Sequence, residues 1–261
     1  MPIHYTVDEH IATIVIDRPE AKNALDPDHF CALADAWRRF RDEDDTWVAV
    51  ITGVGDAFCA GADLKSQARS ASTTTPERRP EDMGREVFVA LLRDFPLWKP
   101  IIAAVNGVCA GGGMEMLGGM DIRVASTGAR FGVPEPKRGL MAAGGTTVRL
   151  VRQIPFPFAM EFLLTGDLFD AETAFAMGLL NKVVPAAELM DTAMNYARKI
   201  AANAPMSVRF TKQSAVEGLG LPLKEAYANE LAFVGPLLQS EDSKEGPRAF
   251  AEKRKPVWKN R

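Results

Sequence analysis

The chain has 261 residues, of which 47% are hydrophobic and 25% charged, and its net charge is −3. That length suits one large domain, or one domain with a helical extension, and the charge excludes the basic field of a nucleic-acid binder. The longest apolar runs, about seven residues, are too short to span a bilayer; the N-terminus "MPIHYTVDEH" shows no basic segment before an apolar one, and Cys31, Cys59 and Cys109 form no CxxC pair, so a reduced, cytoplasmic setting is expected.

In chain order, "IHYTVDEHIATIVIDRP" alternates apolar and polar residues around Asp8-Glu9-His10 and predicts a hairpin. Pro27 and Asp28 open a helix whose stripe runs through Phe30, Leu33, Ala34 and Trp37. "WVAVITG" (47–53), "PIIAAVNG" (100–107) and "DIRVAS" (121–126) are short apolar runs that predict buried strands. Strands and helices alternating in this way predict a layered, largely parallel α/β core. The polar stretch 66–84, rich in Ser and Thr, is expected to be a surface loop acting as a lid. After Pro155 the period becomes helical, from "PFAMEFLLTG" to "SKEGPRAFAEKRK", with one short strand at "NKVV" (181–184). No internal repeat of fixed period is present.

The chemistry concentrates in "AVNGVCAGGGMEMLGGMD" (104–121), with six glycines and Glu115. Gly113 and Gly118 have a Walker spacing, but Gly119 and Met120 follow where Lys and Ser/Thr belong. Gly111 and Gly113 begin a dinucleotide fingerprint that Met116 fails to complete. There is no G-x-S-x-G, no HExxH and no Cys/His cluster, so neither a hydrolase nucleophile nor a metal site is predicted. His4, His10 and His29 read as surface residues, and Cys59 and Cys109 as small buried thiols.

Two carboxylates stand in apolar surroundings, Glu115 and, after "RFGVP", Glu135. A buried carboxylate is expensive, so each needs a reason. One reading makes Glu115 a helix N-terminal acid and Glu135 a surface-loop acid. The other places Glu115 one turn beyond the bare N–H of Gly112, an acid–base group beside a donor for a developing anion. The small turn Ala60-Gly61-Ala62 after the strand 47–53 is either a compact connection or a second exposed N–H.

Together, "RPEAKNALD" (18–26), "AFCAGADLK" (57–65), "AAVNGVCAGGGMEM" (103–116), "RFGVPEPKRGL" (130–140) and "EDSKEGPRAFAEKRKPVW" (241–258) resemble the crotonase (enoyl-CoA hydratase/isomerase) superfamily, in family order and across almost the whole chain. The resemblance implies an α/β fold, a spiral of repeated ββα units over residues 1–200 that holds an acyl-CoA site, with a C-terminal helical region, 201–261, for trimerisation and for covering the site. It implies an acyl-CoA thioester substrate, with coenzyme A as part of the substrate and no separate cofactor, and a homotrimer or hexamer with no nucleic-acid or membrane partner. By the same resemblance, Ala62 and Gly112 donate the two oxyanion hydrogen bonds, and Glu115 and Glu135 are the hydratase acids. Ala60, Asp63, Leu64 and Lys65 lie along the ligand, Phe250 and Lys253 near the adenine (sometimes from a neighbouring subunit), and Lys22 is a partner for CoA phosphate. Retention of both acids favours hydration of a 2-enoyl-CoA. The chain departs from ordinary hydratases in "LMAAGG", where Ala142 and Ala143 stand at the usual Pro-Gly place and methyl groups are expected to narrow the pocket. That segment is also similar to carnitinyl-CoA dehydratase-like members, and Δ3–Δ2-enoyl-CoA isomerisation is a further alternative.

Overall fold

A computed structural model describes residues 3–66 and 80–261. The hairpin forms as expected, β1 (Ile3–Asp8) antiparallel to β2 (Ile11–Ile16). Helix α1 (Pro27–Asp42) follows. Its N-terminus is set by Pro27 and by Asp26, whose side chain accepts the His29 N–H at 3.0 Å. Phe30, Leu33, Ala34, Trp37 and Phe40 form its buried stripe. Lys99, itself buried, closes the other end by donating to the Phe40 and Glu43 carbonyls at 2.7 Å each.

Three successive units then each send one strand into a large sheet and the next into a small one. They are β3 (Val48–Gly53) with β4 (Ala57–Cys59), β5 (Ile101–Val105) with β6 (Val108–Ala110), and β7 (Ile122–Ser126) with β8 (Arg130–Gly132). Helix α2 (Pro80–Ala90) follows the first unit and the short α3 (Gly112–Leu117) the second; α4 (Thr146–Gln153) and α5 (Phe156–Thr165) follow the third. Then come β9 (Leu168–Asp170), α6 (Ala171–Ala176), β10 (Lys182–Val184) and α7 (Leu189–Ala201). The large sheet has the order β1-β2-β3-β5-β7-β10 and is parallel from β2 onward; the small one runs β4-β6-β8-β9, antiparallel only at β9. The chain is the ββα spiral that the resemblance implies. Its repeat is one of backbone path, which is why no sequence period announces it.

The corners between sheets are made by asparagine side chains and bare backbone. Asn106 donates to the Gly55 carbonyl at 2.8 Å and the Ala57 carbonyl at 3.0 Å, and accepts the Gly53 N–H at 3.2 Å. Fully buried Asn23 donates to the Val54 carbonyl at 3.0 Å. A methyl on Gly107 would overlap the Asp56 carbonyl, so only glycine lets these corners meet.

Every residue of β3 is buried because helices cover both faces of the sheet. Val48 and Val50 face a layer closed by Leu189, Ala193 and Ala197 of α7, while Ala49 and Ile51 face the main core with Trp37, Phe58 and Phe131. The C-terminal helices α8 (Pro205–Gly218), α9 (Leu223–Gln239) and α10 (Glu241–Ala251) are different. Helix α9 buries no residue and exposes Leu223, Tyr227, Leu231 and Leu238 at four- and seven-residue spacings. No helix among the described residues is long and apolar enough to cross a membrane.

Two expectations change here. The stretch 66–84 is not all loop, since α2 begins at Pro80; the rest of the expected lid lies outside the described residues. His29 is a buried residue, its Nδ1 2.6 Å from Asp26, because the N-cap of α1 draws it inward. His4 and His10 lie at the surface, His4 against Asp17 and His10 stacked on Trp47 at 3.7 Å.

Candidate active site

The loops between sheet and helix converge on one cleft of about 1160 Å³. Two turns form its floor. In the first, Leu25 N–H donates to the Gly61 carbonyl at 2.7 Å and Asp63 N–H to the Leu25 carbonyl at 2.9 Å. Along an extended segment, neighbouring peptide groups point to opposite sides, so this bridge turns the Ala62 N–H away from Leu25 and into the cleft. In the second, β6 ends at Ala110, and Gly111, in a backbone conformation (φ 55°, ψ −124°) suited to glycine, turns the chain into α3. Gly112 then offers an N–H with no partner one turn back. A methyl on Gly113 would overlap the Cys59 carbonyl, so this glycine lets α3 lie directly against β4.

The two turns touch. A methyl on Gly61 would stand 2.7 Å from the Gly112 nitrogen, and one on Gly112 would stand 3.6 Å from the Ala62 nitrogen. Among the described residues, neither N–H has an acceptor. Two neighbouring, unused donors lining one cleft can hold an oxyanion.

Glu115 lies one turn along α3 and is 8% exposed. Its Oε1 accepts the N–H of Gly144. Burial raises its pKa, the Gly144 N–H opposes that, the charge of Glu135 adds to the rise, and Arg93 and Arg149 lower it. Glu135 starts a tight 3₁₀ turn behind Pro134. Its Oε1 lies 3.3 Å from where a methyl on Gly111 would stand, and its Oε2 is buried with no partner among the described residues. Burial raises its pKa too, against its own backbone N–H and Arg138. Neither acid is a solvated surface group.

The other predicted positions divide. Ala60, Asp63, Leu64 and Lys65 line the cleft with Ala62 and Gly112. Asp63 is also committed to the fold, pairing with Arg18 at 2.9 Å and capping the Lys65 and Ser66 N–H groups at 3.1 Å each. The Ser66 N–H and then Arg18 hold its carboxyl below the usual range against desolvation. Lys22 lines the cleft, exposed and paired with Asp56. Phe250 and Lys253 do not line it; within one chain Phe250 sits on α10, 88% exposed. Of the two alanines expected to narrow the pocket, only Ala143 lines it, and the Ala142 methyl is buried in the core.

Cys59 and Cys109 are fully buried, and burial pushes the Cys59 thiol up to about 12, so neither is poised as a nucleophile. Among the described residues no group of three or more His, Cys, Asp or Glu side chains is placed to hold a metal. The lining also includes basic Arg18, Lys22, Lys65, Lys137 and Arg138 and apolar Val87, Phe88, Leu91, Leu140 and Met141.

Sequence reading missed Gly144, Arg93 and Arg149. A methyl on Gly144 would stand 2.5 Å from both Glu115 Oε2 and Leu91 Cδ1, so a glycine is required there. The second glycine pair, Gly144-Gly145, was the available signal; the two arginines gave none, since their contacts lie far along the chain.

The enoyl-CoA hydratase/isomerase family model matches residues 6–261. The (E)-benzylidenesuccinyl-CoA hydratase of Thauera aromatica is 40% identical, over 99% of each chain. The carnitinyl-CoA dehydratase of Proteus mirabilis is 38% identical over 99% of this chain and 98% of that one. The crystal structure of an enoyl-CoA hydratase from Bacillus anthracis superimposes with a TM-score of 0.92 at 31% identity, covering all of both chains.

Proposed function

The chain belongs to the enoyl-CoA hydratase/isomerase family, whose hydratases and dehydratases act on coenzyme A thioesters, and from that premise we propose that it reversibly adds water across the C2=C3 bond of a 2-enoyl-CoA. The observation that carries this reading is the meeting of buried Glu115 and half-buried Glu135, in one cleft, with two N–H donors that have no acceptor among the described residues.

Attack of water at C3 pushes charge onto the thioester oxygen as an enolate. The Ala62 and Gly112 N–H groups stabilise that oxygen; losing one such donor costs about 3–4 kcal/mol. Glu115 accepts the proton from water as C3 is attacked, and Glu135 delivers a proton to C2. Holding one water between two carboxylates also fixes its direction of attack. Raised pKa values suit groups that must gain and release a proton near neutrality. The basic lining, Lys22 and Lys65 among it, suits the anionic coenzyme A portion, and Val87, Phe88 and Leu91 suit an apolar acyl group.

A second reading, dehydration of a carnitinyl-type thioester, is favoured by the relative of that name and by Ala143 at the cleft. A carnitinyl group carries a quaternary ammonium, which needs an anionic or aromatic partner. Besides the two catalytic candidates, the lining carboxylates are Glu20 and Asp63, each within 4 Å of Arg18 (3.8 and 2.9 Å). Of the lining aromatics, Phe30 is buried and the Phe88 ring already carries the Arg93 guanidinium, so the apolar enoyl substrate fits the lining better. The exposed stripe of α9 suits burial between copies of the chain, and a homotrimer or a dimer of trimers is part of the proposal.

The test is a panel of 2-enoyl-CoA substrates, short, long and aromatic, followed by loss of the conjugated thioester absorbance and by product mass. Gain of one water supports hydration; an unchanged mass with a moved double bond points to isomerisation. No turnover of any member by folded wild-type protein would sink the proposal.

A further inference from the structure

We propose that Arg93 is a positioning residue for Glu115, acting through the single peptide unit that joins Ala143 to Gly144; the inference rests on the reading of Glu115 as a reacting acid. Arg93 Nη1 donates to the Ala143 carbonyl. The N–H of that same peptide unit, which belongs to Gly144, donates to Glu115 Oε1. A planar, rigid group thus holds a cation at its oxygen and a carboxylate at its nitrogen. The cation draws density from the amide and strengthens its N–H as a donor, as in any chain of hydrogen bonds polarised in one sense. Guanidinium and carboxylate are coupled without touching, which leaves the other oxygen of Glu115 free for substrate water.

The segment that carries Arg93 is built to aim it. Leu92 and Asp94, on either side, both adopt the left-handed region, at φ 56° and 52°. Side chains rarely tolerate that conformation, so surrounding contacts must enforce it. Arg149 does so, donating to the Leu91 carbonyl at 3.2 Å and also to the Leu92 carbonyl. Trp37 Nε1 holds the Ala90 carbonyl at 3.1 Å. The Arg93 guanidinium lies 4.2 Å over the Phe88 ring, and its Nε is 3.3 Å from Asp94. One flat group therefore stacks, pairs and donates at once, which a lysine ammonium cannot do.

Among the described residues, the charged groups facing Glu115 come from three elements: Glu135 from the turn after β8, Arg149 from α4 and Arg93 from the turn after α2. Arg149 donates to the backbone carbonyl of Glu115 at 3.1 Å and so holds main chain. Arg93 is the cation that reaches the carboxylate itself, through the peptide.

The test uses the full-length protein and the variants R93Q and R93K. Glutamate labelled at the carboxyl carbon, assigned with E115Q and E135Q, reports ionisation of Glu115 by NMR without any need for turnover. In R93Q the Glu115 titration moves up by about half a pH unit, a modest shift because Arg93 is part-exposed. The acid limb of kcat/KM moves with it, a threefold loss on that limb. R93K, which keeps the charge and loses the fork, falls between R93Q and wild type, and it carries the test if R93Q does not fold. A Glu115 titration unmoved in folded R93Q, or in folded R93K when R93Q is unfolded, overturns the proposal. So does a uniform loss of activity with no shift of the limb, the mark of a merely structural residue. If E115Q retains full turnover, the catalytic reading fails separately, while the NMR titration still reads the relay.

Discussion

The surroundings of Glu115 and Glu135 differ in how completely they satisfy a buried charge. Glu115 sits on a helix, its Oε1 held by the Gly144 N–H and its charge balanced by Arg93 and Arg149. Glu135 sits on a 3₁₀ turn with one oxygen buried and without a partner among the described residues, and the cation acting on it, Arg138, is exposed. A held carboxylate is fixed in direction. An unsatisfied one is ready to take a proton or a water. In the proposed hydration, this difference matches Glu115 to orienting and deprotonating water, and Glu135 to carrying the proton that reaches C2.

The sharpest way to break this division is to neutralise each acid in turn. E115Q and E135Q are each expected to lower kcat by about 10²–10⁴, the range for general acid–base groups, with binding of an acyl-CoA product retained. If one variant keeps wild-type kcat while the other loses it, the two-acid mechanism is wrong and a one-acid isomerisation becomes the better account. Stopped-flow absorbance with calorimetric binding decides.

A smaller effect probes the held side alone. In G144A the added methyl would stand 2.5 Å from Glu115 Oε2, so the carboxylate must swing away. A displacement of about 1 Å in a reacting group costs about 10²-fold, and kcat should fall by up to that much. The Glu135 titration should change little. An unchanged kcat would mean that the Gly144 contact does not set the direction of Glu115.

Much of this contrast was legible in the sequence, and the reason it stopped where it did is physical. The large-sheet strands and α1 announce themselves through period and caps, and Gly111–Gly113 and Glu115 through composition. The strands of the small sheet are three residues each, too short for periodicity to detect. Helix α4 escaped because its glycine-rich start reads as loop. Glu115 could be singled out as a carboxylate in apolar surroundings, but what holds it comes from residues up to 34 positions away. Phe250 was carried to the ligand by resemblance alone, and within one chain it stays outside the cleft.

The smallest predicted effect is on stability, and its sign follows from the raised pKa values. Glu135 titrates above its ordinary value of 4.5 in the folded chain, so the folded state binds more protons than the unfolded state between those two values. Stability therefore falls as pH rises through that window, and above it the ionised, partly unsatisfied carboxylate costs its full amount. Gln at 135 cannot ionise, and burying an amide costs less than burying a charge. E135Q should unfold at a higher temperature than wild type at pH 8, by about 2–4 °C if about 1 kcal/mol is involved. The gain should vanish near pH 4, where the wild-type acid is already protonated in both states. E115Q should gain less at pH 8, because the amide gives up the charge-assisted bond to Gly144 and the attraction of Arg93 and Arg149. Equal gains in the two variants, measured by thermal unfolding at both pH values, would mean that the two carboxylates are buried on the same terms, and the contrast between them would fall.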